Sequence, residues 1–195
     1  MTERAALPTS VPPEAVLPPR HPDAPAPGEQ IASHYHLCVG CGRDHPTGLR
    51  VTVTAGEGLT LSGSFTVTEN HQGAPGLAHG GMLTLAFDEV LGSLMWLVGM
   101  PAVTGHLETD FRRPVPVGTT LHITARVDGH AGRRLYTSAI GRADDTTGPV
   151  AVRASAVFVI VAGEHFRTHG RRADIDAAMA RDDVHRAAHA LEVNP

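Results

Sequence analysis

The residues best suited to chemistry lie in one stretch, 71–88, which reads HQGAPGLAHGGMLTLAFD. His79, Gly80 and Gly81 open a segment with good helix formers, many apolar residues and no proline. The first amides of a helix have no intrahelical partner and lie at the positive end of its dipole, so they suit a polarised carbonyl or a developing oxyanion. Glycine at these positions lets a ligand approach the backbone closely.

Asp88 is the candidate catalytic carboxylate. It lies about two and a half helical turns after His79, among apolar residues that point in every direction around the helix. A carboxylate in such surroundings is costly to bury without a partner and its pKa rises, which is typical of a general base or a nucleophile. The adjacent Glu89 points elsewhere on the helix, and for it we expect a structural or dimer-contact role.

Six strand-like segments and one long helix must position these residues. Segments 49–54 and 59–67 precede the helix 80–99, and segments 103–113, 119–128, 133–142 and 150–161 follow it. The helix is apolar all round, which is typical of a buried helix. This order predicts an α+β fold in which an antiparallel β-sheet wraps around one long buried helix. Because such a sheet leaves an open strand edge, we expect a homodimer or a homotetramer.

The sequence resembles the hotdog-fold acyl-CoA thioesterases of the PaaI-like type, in the 4-hydroxybenzoyl-CoA thioesterase or thioesterase superfamily. The resemblance rests on the motif HGG at 79–81, on the spacing to Asp88, and on Arg113-Pro114 with Gly118, and it covers about residues 35–162. It implies a hotdog fold, dimers or dimers of dimers, and hydrolysis of a thioester to a free acid and coenzyme A. It implies no metal and no cofactor.

The resemblance also implies roles for individual residues. Asp88 acts as general base or nucleophile, the amide of Gly81 together with that of Gly80 polarises the thioester carbonyl, and Thr104 supports the attacking water. Relative to the bound carbonyl, Asp88 comes from the neighbouring subunit. The coenzyme A thiolate leaves readily, so no strong acid is needed. His79 is either a proton-transfer group or a hydrogen-bonded residue that shapes the loop.

Candidate contacts to coenzyme A are more dispersed. His71 faces the site or holds the loop. The arginine pairs at 112–113, 133–134 and 171–172 could contact phosphates or could simply be solvated. Arg133 and Arg134, in a hairpin where relatives contact the nucleotide, are the best placed, and Arg113 is a further candidate.

The segment 31–48 contains Cys38 and Cys41 with His34, His36 and His45 nearby, which allows a tetrahedral zinc site. A single CxxC has low specificity, and CVGCGRDHPTGL also resembles the structural CxGCGxxNPxGL lead-in of many of these thioesterases. His45 stands where that lead-in has Asn. The structural interpretation is therefore preferred, without a metal.

Composition bounds the remaining possibilities. The net charge of −4 argues against a general nucleic-acid binder. The absence of lysine excludes Schiff-base and Walker-lysine chemistry. The helix carries Asp88 and Glu89 at its middle, which makes it a poor membrane span. With no secretory signal pattern, we expect a cytoplasmic protein. Eight of the 15 prolines fall before residue 30.

These features divide the chain into a disordered proline-rich tail over 1–30, a hotdog domain over 31–163 and a C-terminal tail over 164–195 with a weakly amphipathic helix at 172–191. The function they predict is hydrolysis of an acyl-CoA, with acyl-CoA as the partner and no nucleic acid or membrane. Two alternatives stay open. The first is a non-catalytic acyl-CoA-binding hotdog module, because a fold does not fix a function. The second is a hotdog hydratase or dehydratase.

Overall fold

A computed structural model of the protein describes residues 8–179. Nine strands and four helices follow one another along this part of the chain: β1 Gln30–Ile31, β2 Thr52–Ala55, β3 Thr60–Thr66, β4 Gln72–Ala74, β5 Leu77–Ala78, α1 Gly80–Gly92, α2 Met95–Val98, β6 Ala102–Phe111, β7 Thr120–Ala131, β8 Arg134–Ala143, β9 Val150–Ile160, α3 Glu164–His169 and α4 Arg172–Met179. A single 3-10 turn, Glu69–His71, precedes β4.

Seven of the strands form one antiparallel sheet in the order β1-β2-β3-β7-β8-β9-β6. The six predicted strands are all present, with ends shifted by a few residues. The sequence analysis did not predict β1 or the short β4–β5 hairpin, because strands of two or three residues show no periodicity. Within the described residues, β6 pairs with β9 on one side and leaves its other edge open.

Helix α1 packs against the inner face of the sheet at very short range. Leu83, Phe87 and Val90 are buried on the side that faces the strands. A Cβ built on Gly63 of β3 would lie 2.5 Å from Val90 Cγ2, and one built on Gly141 of β8 would lie 2.8 Å from Phe87 Cζ. Glycine at these two positions therefore lets the sheet close around the helix.

The long helix predicted over 80–99 is two helices in the structure. Helix α1 ends at Gly92, and α2 begins at Met95 and ends at Val98, followed by Gly99 with a left-handed φ of 64°. Between them, the N–H groups of Leu94 and Trp96 donate to carbonyl oxygens three residues back instead of four. The side of α1 that carries Asp88 is half-buried rather than enclosed.

From residue 8 onward the proline-rich segment contains several turns and lies against the domain. Val16 pairs with His130 through backbone hydrogen bonds of 3.0 and 2.8 Å. Arg20 Nη1 donates to the Gly56 carbonyl oxygen at 3.0 Å. A proline-rich composition predicts an extended chain but does not report such contacts, so the prediction of a mobile tail applies less well to residues 8–30.

The predicted C-terminal helix begins at Arg172, as expected, and is described as far as Met179; the rest of the predicted range 172–191 lies outside the described residues. In the described part of the chain, one apolar stretch, Gly80–Val98, has the length and composition of a candidate membrane span. Half of its most apolar window is buried inside the fold. That composition is equally typical of the core helix of a folded domain.

Candidate active site

Asp88 and Thr104 meet in the wall of a cleft of about 840 Å³. The Thr104 hydroxyl donates to Asp88 Oδ1 at 2.8 Å, which joins the middle of α1 to the start of β6. The rest of the cleft wall is largely apolar, with contributions from Leu85, Met95, Trp96, Val103, Phe158 and Ile175. The structure thus brings together two of the predicted catalytic residues in a pocket that suits an apolar ligand.

The electrostatics of Asp88 agree with this position. Burial beside the apolar wall raises the pKa of the Asp88 carboxyl, and the hydrogen bond from Thr104 partly opposes that rise. The bond holds Oδ1 in a fixed place and leaves Oδ2 for another partner. A carboxylate with these two features can accept a proton from water or attack an electrophilic carbon.

The start of α1 is built by His79, Gly80 and Gly81. His79 is the N-cap, and its Nδ1 accepts the Gly81 N–H at 2.9 Å. The Gly81 amide, predicted to polarise a carbonyl, is therefore engaged in the cap. The Gly80 N–H forms no hydrogen bond within residues 8–179 and is the amide that remains for a ligand.

His71 holds the loop that leads into the helix. It is 2% exposed, its Nδ1 accepts the Thr68 N–H at 3.1 Å, and its carbonyl oxygen accepts the His79 N–H at 2.7 Å. His71 does not line the cleft. These contacts favour the loop-holding alternative, and those of His79 favour the alternative in which it shapes the helix start.

Within one chain, the catalytic carboxylate of Asp88 and the Gly80 amide lie far apart. Gly80 and Asp88 are eight residues apart on α1, which places them about 12 Å from each other along the axis. Helix α1 runs against β6 in the opposite direction: Asp88 contacts Thr104, and a Cβ built on Gly80 would lie 3.3 Å from Phe111 Cζ. A single thioester group cannot reach both Asp88 and Gly80 of the same chain.

The predicted arginines lie outside the cleft. Arg113 and Arg134 are exposed, and Arg133 donates from Nε and Nη2 to the Ile160 carbonyl oxygen at 3.1 and 2.9 Å. The arginine that does line the cleft is Arg171, which makes a two-pronged ion pair with Asp174 at 2.6 and 2.7 Å. Arg171 belongs to the third of the pairs considered from the sequence.

Beside Asp88, the same wall of the cleft carries a second polar group of residues. His34, Cys38, Cys41 and Glu89 each offer one ligand atom, and these atoms all lie within 4.8 Å of one another. Of the three histidines considered with the CxxC, His34 alone takes part in this cluster of the described residues. The sequence analysis did not connect Glu89 to the cysteines, because a separation of 51 residues between Cys38 and Glu89 hides their contact.

This His–Cys–Cys–Glu cluster is electrostatically unusual. Burial raises the pKa of Glu89 to about 7. The two thiols share a hydrogen bond, which lowers the pKa of Cys38 and raises that of Cys41. The hydrogen bond with Cys38 raises the pKa of His34. The pKa of each of these four side chains thus departs from its ordinary value.

Comparison with solved structures defines the class of fold. A crystal structure of a thioesterase superfamily protein superposes with a TM-score of 0.59 and 27% identity, over 70% of this chain and 70% of that one. The PaaI protein of the phenylacetic acid degradation operon of E. coli superposes with a TM-score of 0.53 and 19% identity, over 58% of this chain and 80% of PaaI. The fold is the hotdog fold.

The sequence comparisons are more specific. Residues 75–150 match the family model of the thioesterase superfamily. The acyl-coenzyme A thioesterase THEM4 of Bos taurus is 38% identical over 74 residues, which are 38% of this chain and 30% of the relative. The chain thus spans about a third of the length of the curated relative it matches. The predicted resemblance to hotdog-fold thioesterases is confirmed, and its matched region contains His79, Gly80, Gly81, Asp88 and Thr104.

Proposed function

We propose that the protein hydrolyses acyl-CoA thioesters, with Asp88 as the catalytic carboxylate. The observation that carries the proposal is the 2.8 Å hydrogen bond from Thr104 to Asp88 Oδ1 in the wall of a largely apolar cleft. The match of residues 75–150 to the thioesterase superfamily and the name of the THEM4 relative support it.

The cleft suits the acyl part of the substrate. Its volume of about 840 Å³ is within the usual range for small-molecule sites, and its wall includes Leu85, Trp96 and Phe158. An acyl chain placed against this wall can bring its thioester to Asp88, which lines the same cleft. Burial of the chain contributes binding free energy of about 0.8 kcal/mol per methylene group.

The chemistry follows from the free oxygen of Asp88. Oδ2 either accepts a proton from a water molecule that attacks the carbonyl carbon, or attacks that carbon itself. In both cases the carbon–sulfur bond breaks and coenzyme A leaves as a thiolate that takes up a proton. In the first case the acyl group leaves as a carboxylic acid; in the second it remains on Asp88 as an anhydride, which a water molecule then hydrolyses to the acid and the free carboxylate. Thr104 holds Asp88 in position, and a backbone N–H stabilises the negative charge that develops on the carbonyl oxygen.

That N–H belongs to Gly80 of a second copy of the chain. Because β6 has an open edge, two copies can pair antiparallel through it. The Thr104 end of one β6 then lies opposite the Phe111 end of the other. Since Asp88 is bound to Thr104 and Gly80 lies against Phe111, this pairing brings Asp88 towards the partner subunit's Gly80. The exposed Phe111 ring is covered in the same contact.

The proposal is tested by incubating the full chain with short, medium, long and aryl acyl-CoAs and measuring free thiol. We expect thiol release from at least one class. If no acyl-CoA releases thiol but some of them raise the melting temperature, the protein is a binding module and the proposed function is wrong. If an enoyl-CoA gains water while its thioester stays intact, the protein is a hydratase and the proposal is equally wrong.

A further inference from the structure

We infer that His34, Cys38, Cys41 and Glu89 form a binding site for one structural zinc ion. The four side chains come from two distant parts of the chain, the loop 31–49 and helix α1, and they offer two sulfurs, one nitrogen and one carboxylate oxygen. Thiolate and imidazole ligands are those that zinc prefers, and four protein ligands complete a tetrahedral site.

The distances between the ligand atoms fit a tetrahedral ion. Zinc bonds of about 2.3 Å to sulfur and about 2.0–2.1 Å to nitrogen or oxygen place neighbouring ligand atoms about 3.3–3.8 Å apart. Cys38 Sγ lies 3.3 Å from Glu89 Oε2, and Cys41 Sγ lies 3.4 Å from His34 Nδ1. His34 Nδ1 lies 3.6 Å from Glu89 Oε1. The first two separations are those of neighbouring ligands of one ion, and the third involves the other oxygen of the same Glu89 carboxylate.

The backbone around the cysteines is shaped for this convergence. A Cβ built on Gly40 would collide with the Glu89 carboxyl group, so a larger residue at this position would displace that carboxyl group from the sulfurs. The Gly40 N–H donates to Cys38 Sγ at 3.3 Å, and the Ser33 hydroxyl lies 3.2 Å from Cys41 Sγ. Such hydrogen bonds to the ligating sulfurs orient them towards a metal.

A redox pair is the competing interpretation of a CxxC. Both cysteines are free thiols in the structure. A pair of thiols that cycles with a disulfide does not require an imidazole and a carboxylate beside it, yet His34 and Glu89 contact the sulfurs. The Glu89 side chain is 12% exposed, so its carboxylate is largely withdrawn from water beside two thiols. A divalent cation compensates the charge of a carboxylate withdrawn from water, which a disulfide does not.

The site has a consequence for the cleft. His34, Cys38 and Glu89 line the same wall as Asp88, and Val39 and Gly40 lie between the ligands. An ion at this point would fix the loop to α1 and thereby fix one wall of the acyl cleft. Because its four positions are all taken by protein, the ion has no open position for water or substrate and its role is structural.

The test begins with the metal content of the full chain, purified without a metal-binding tag and without chelators. We expect one equivalent of zinc per chain by mass spectrometry of the metals. Replacement of zinc by cobalt should give the absorption bands of tetrahedral cobalt with thiolate ligands. Chelation should lower the melting temperature of the wild type.

Variants assign the site to its residues. Glu89→Gln and Cys41→Ser should lose the ion, Ser33→Ala should weaken zinc affinity by about 10- to 100-fold, and the matched control His45→Ala should keep one equivalent. Asp88→Asn should also keep the ion while losing thiol release, which separates this proposal from the proposed function. Wild-type protein that holds no zinc and gives no thiolate–cobalt bands would overturn the inference, as would full zinc retention in Glu89→Gln. A disulfide between Cys38 and Cys41 in freshly purified protein would overturn it as well.

Discussion

The N–H of Gly80 can be removed without disturbing the helix that carries it. Gly80 is the first residue of α1, where proline is favoured because its ring fixes a helical φ and its missing N–H has no intrahelical partner. The preceding His79 has φ −71° and ψ 134°, the extended conformation that a residue before proline adopts. Gly80→Pro is therefore expected to fold and to lack the one amide that we assign to the carbonyl oxygen.

The control for this variant is Gly80→Ala. Alanine adds the same Cβ as proline but keeps the N–H. This Cβ would lie 3.3 Å from Phe111 Cζ, and the Phe111 ring is exposed and can move slightly. Loss of one oxyanion donor typically costs about 10²–10³ in kcat, or about 2.7–4 kcal/mol. We expect kcat of Gly80→Pro to fall by that factor relative to Gly80→Ala, with little change in melting temperature.

The assay is thiol release by each purified variant, followed by a mixing experiment. Asp88→Asn and Gly80→Pro chains, unfolded together and refolded in equal amounts, should form mixed dimers. Each mixed dimer contains one site with an intact Asp88 and an intact partner amide. Statistical mixing therefore predicts recovery of about a quarter of the wild-type activity.

Two results would refute this reasoning. Equal kcat values for Gly80→Pro and Gly80→Ala would show that the Gly80 amide does not act on the carbonyl. Failure of the mixed chains to recover activity, although mixed dimers are present by native mass spectrometry, would show that each site lies within one chain.

Two further predictions concern the support of the site and the packing of the core. Thr104→Val removes the hydroxyl at nearly constant shape and should lower kcat by about 10- to 100-fold, because a hydrogen bond to a charged group contributes about 1.5–3 kcal/mol. Thr104→Ser keeps a hydroxyl and should retain most of the activity. Equal kcat values for the two variants would contradict this role of Thr104. Gly63→Ala should lower the free energy of unfolding by about 1–3 kcal/mol, because the new Cβ meets the Val90 side chain. Its melting temperature should fall below that of the control Ser62→Ala, whose side chain is exposed. Identical melting curves would show that the helix moves to make room for the Cβ.

The sheet and its central helix were predictable from the sequence because their signals are local. The alternation of apolar and polar residues predicts the long strand β7, and apolar residues on every side of α1 predict a buried helix. The break after Gly92 was not predictable, since the residues there are good helix formers and the change shows only in the hydrogen bonds, such as that from the Leu94 N–H to the Leu91 carbonyl oxygen. The docking of residues 8–30 likewise depends on contacts such as that of Arg20 with Gly56, which no periodicity reports.

The candidate site divides in the same way. The spacing from His79 to Asp88 and the family resemblance selected Asp88 and Thr104, and the structure places both at the cleft. The roles of His71, His79 and Gly81 could be assigned only from the structure, because they depend on which atom accepts each backbone N–H. The convergence of Glu89 with the cysteines is a tertiary contact across 51 residues, and a single sequence carries no signal for it.

The central claim is that Asp88 performs hydrolysis of an acyl-CoA, and one comparison tests it most directly. Thiol release from the best acyl-CoA should be measured for the wild type, for Asp88→Asn and for the control Asp23→Asn, whose carboxylate is 91% exposed. Asparagine keeps the shape and the hydrogen bond with Thr104 but cannot accept the proton. We expect kcat/KM to fall by about 10²–10⁴-fold in Asp88→Asn and to stay unchanged in Asp23→Asn. A folded Asp88→Asn variant that releases thiol at the wild-type rate would contradict the account.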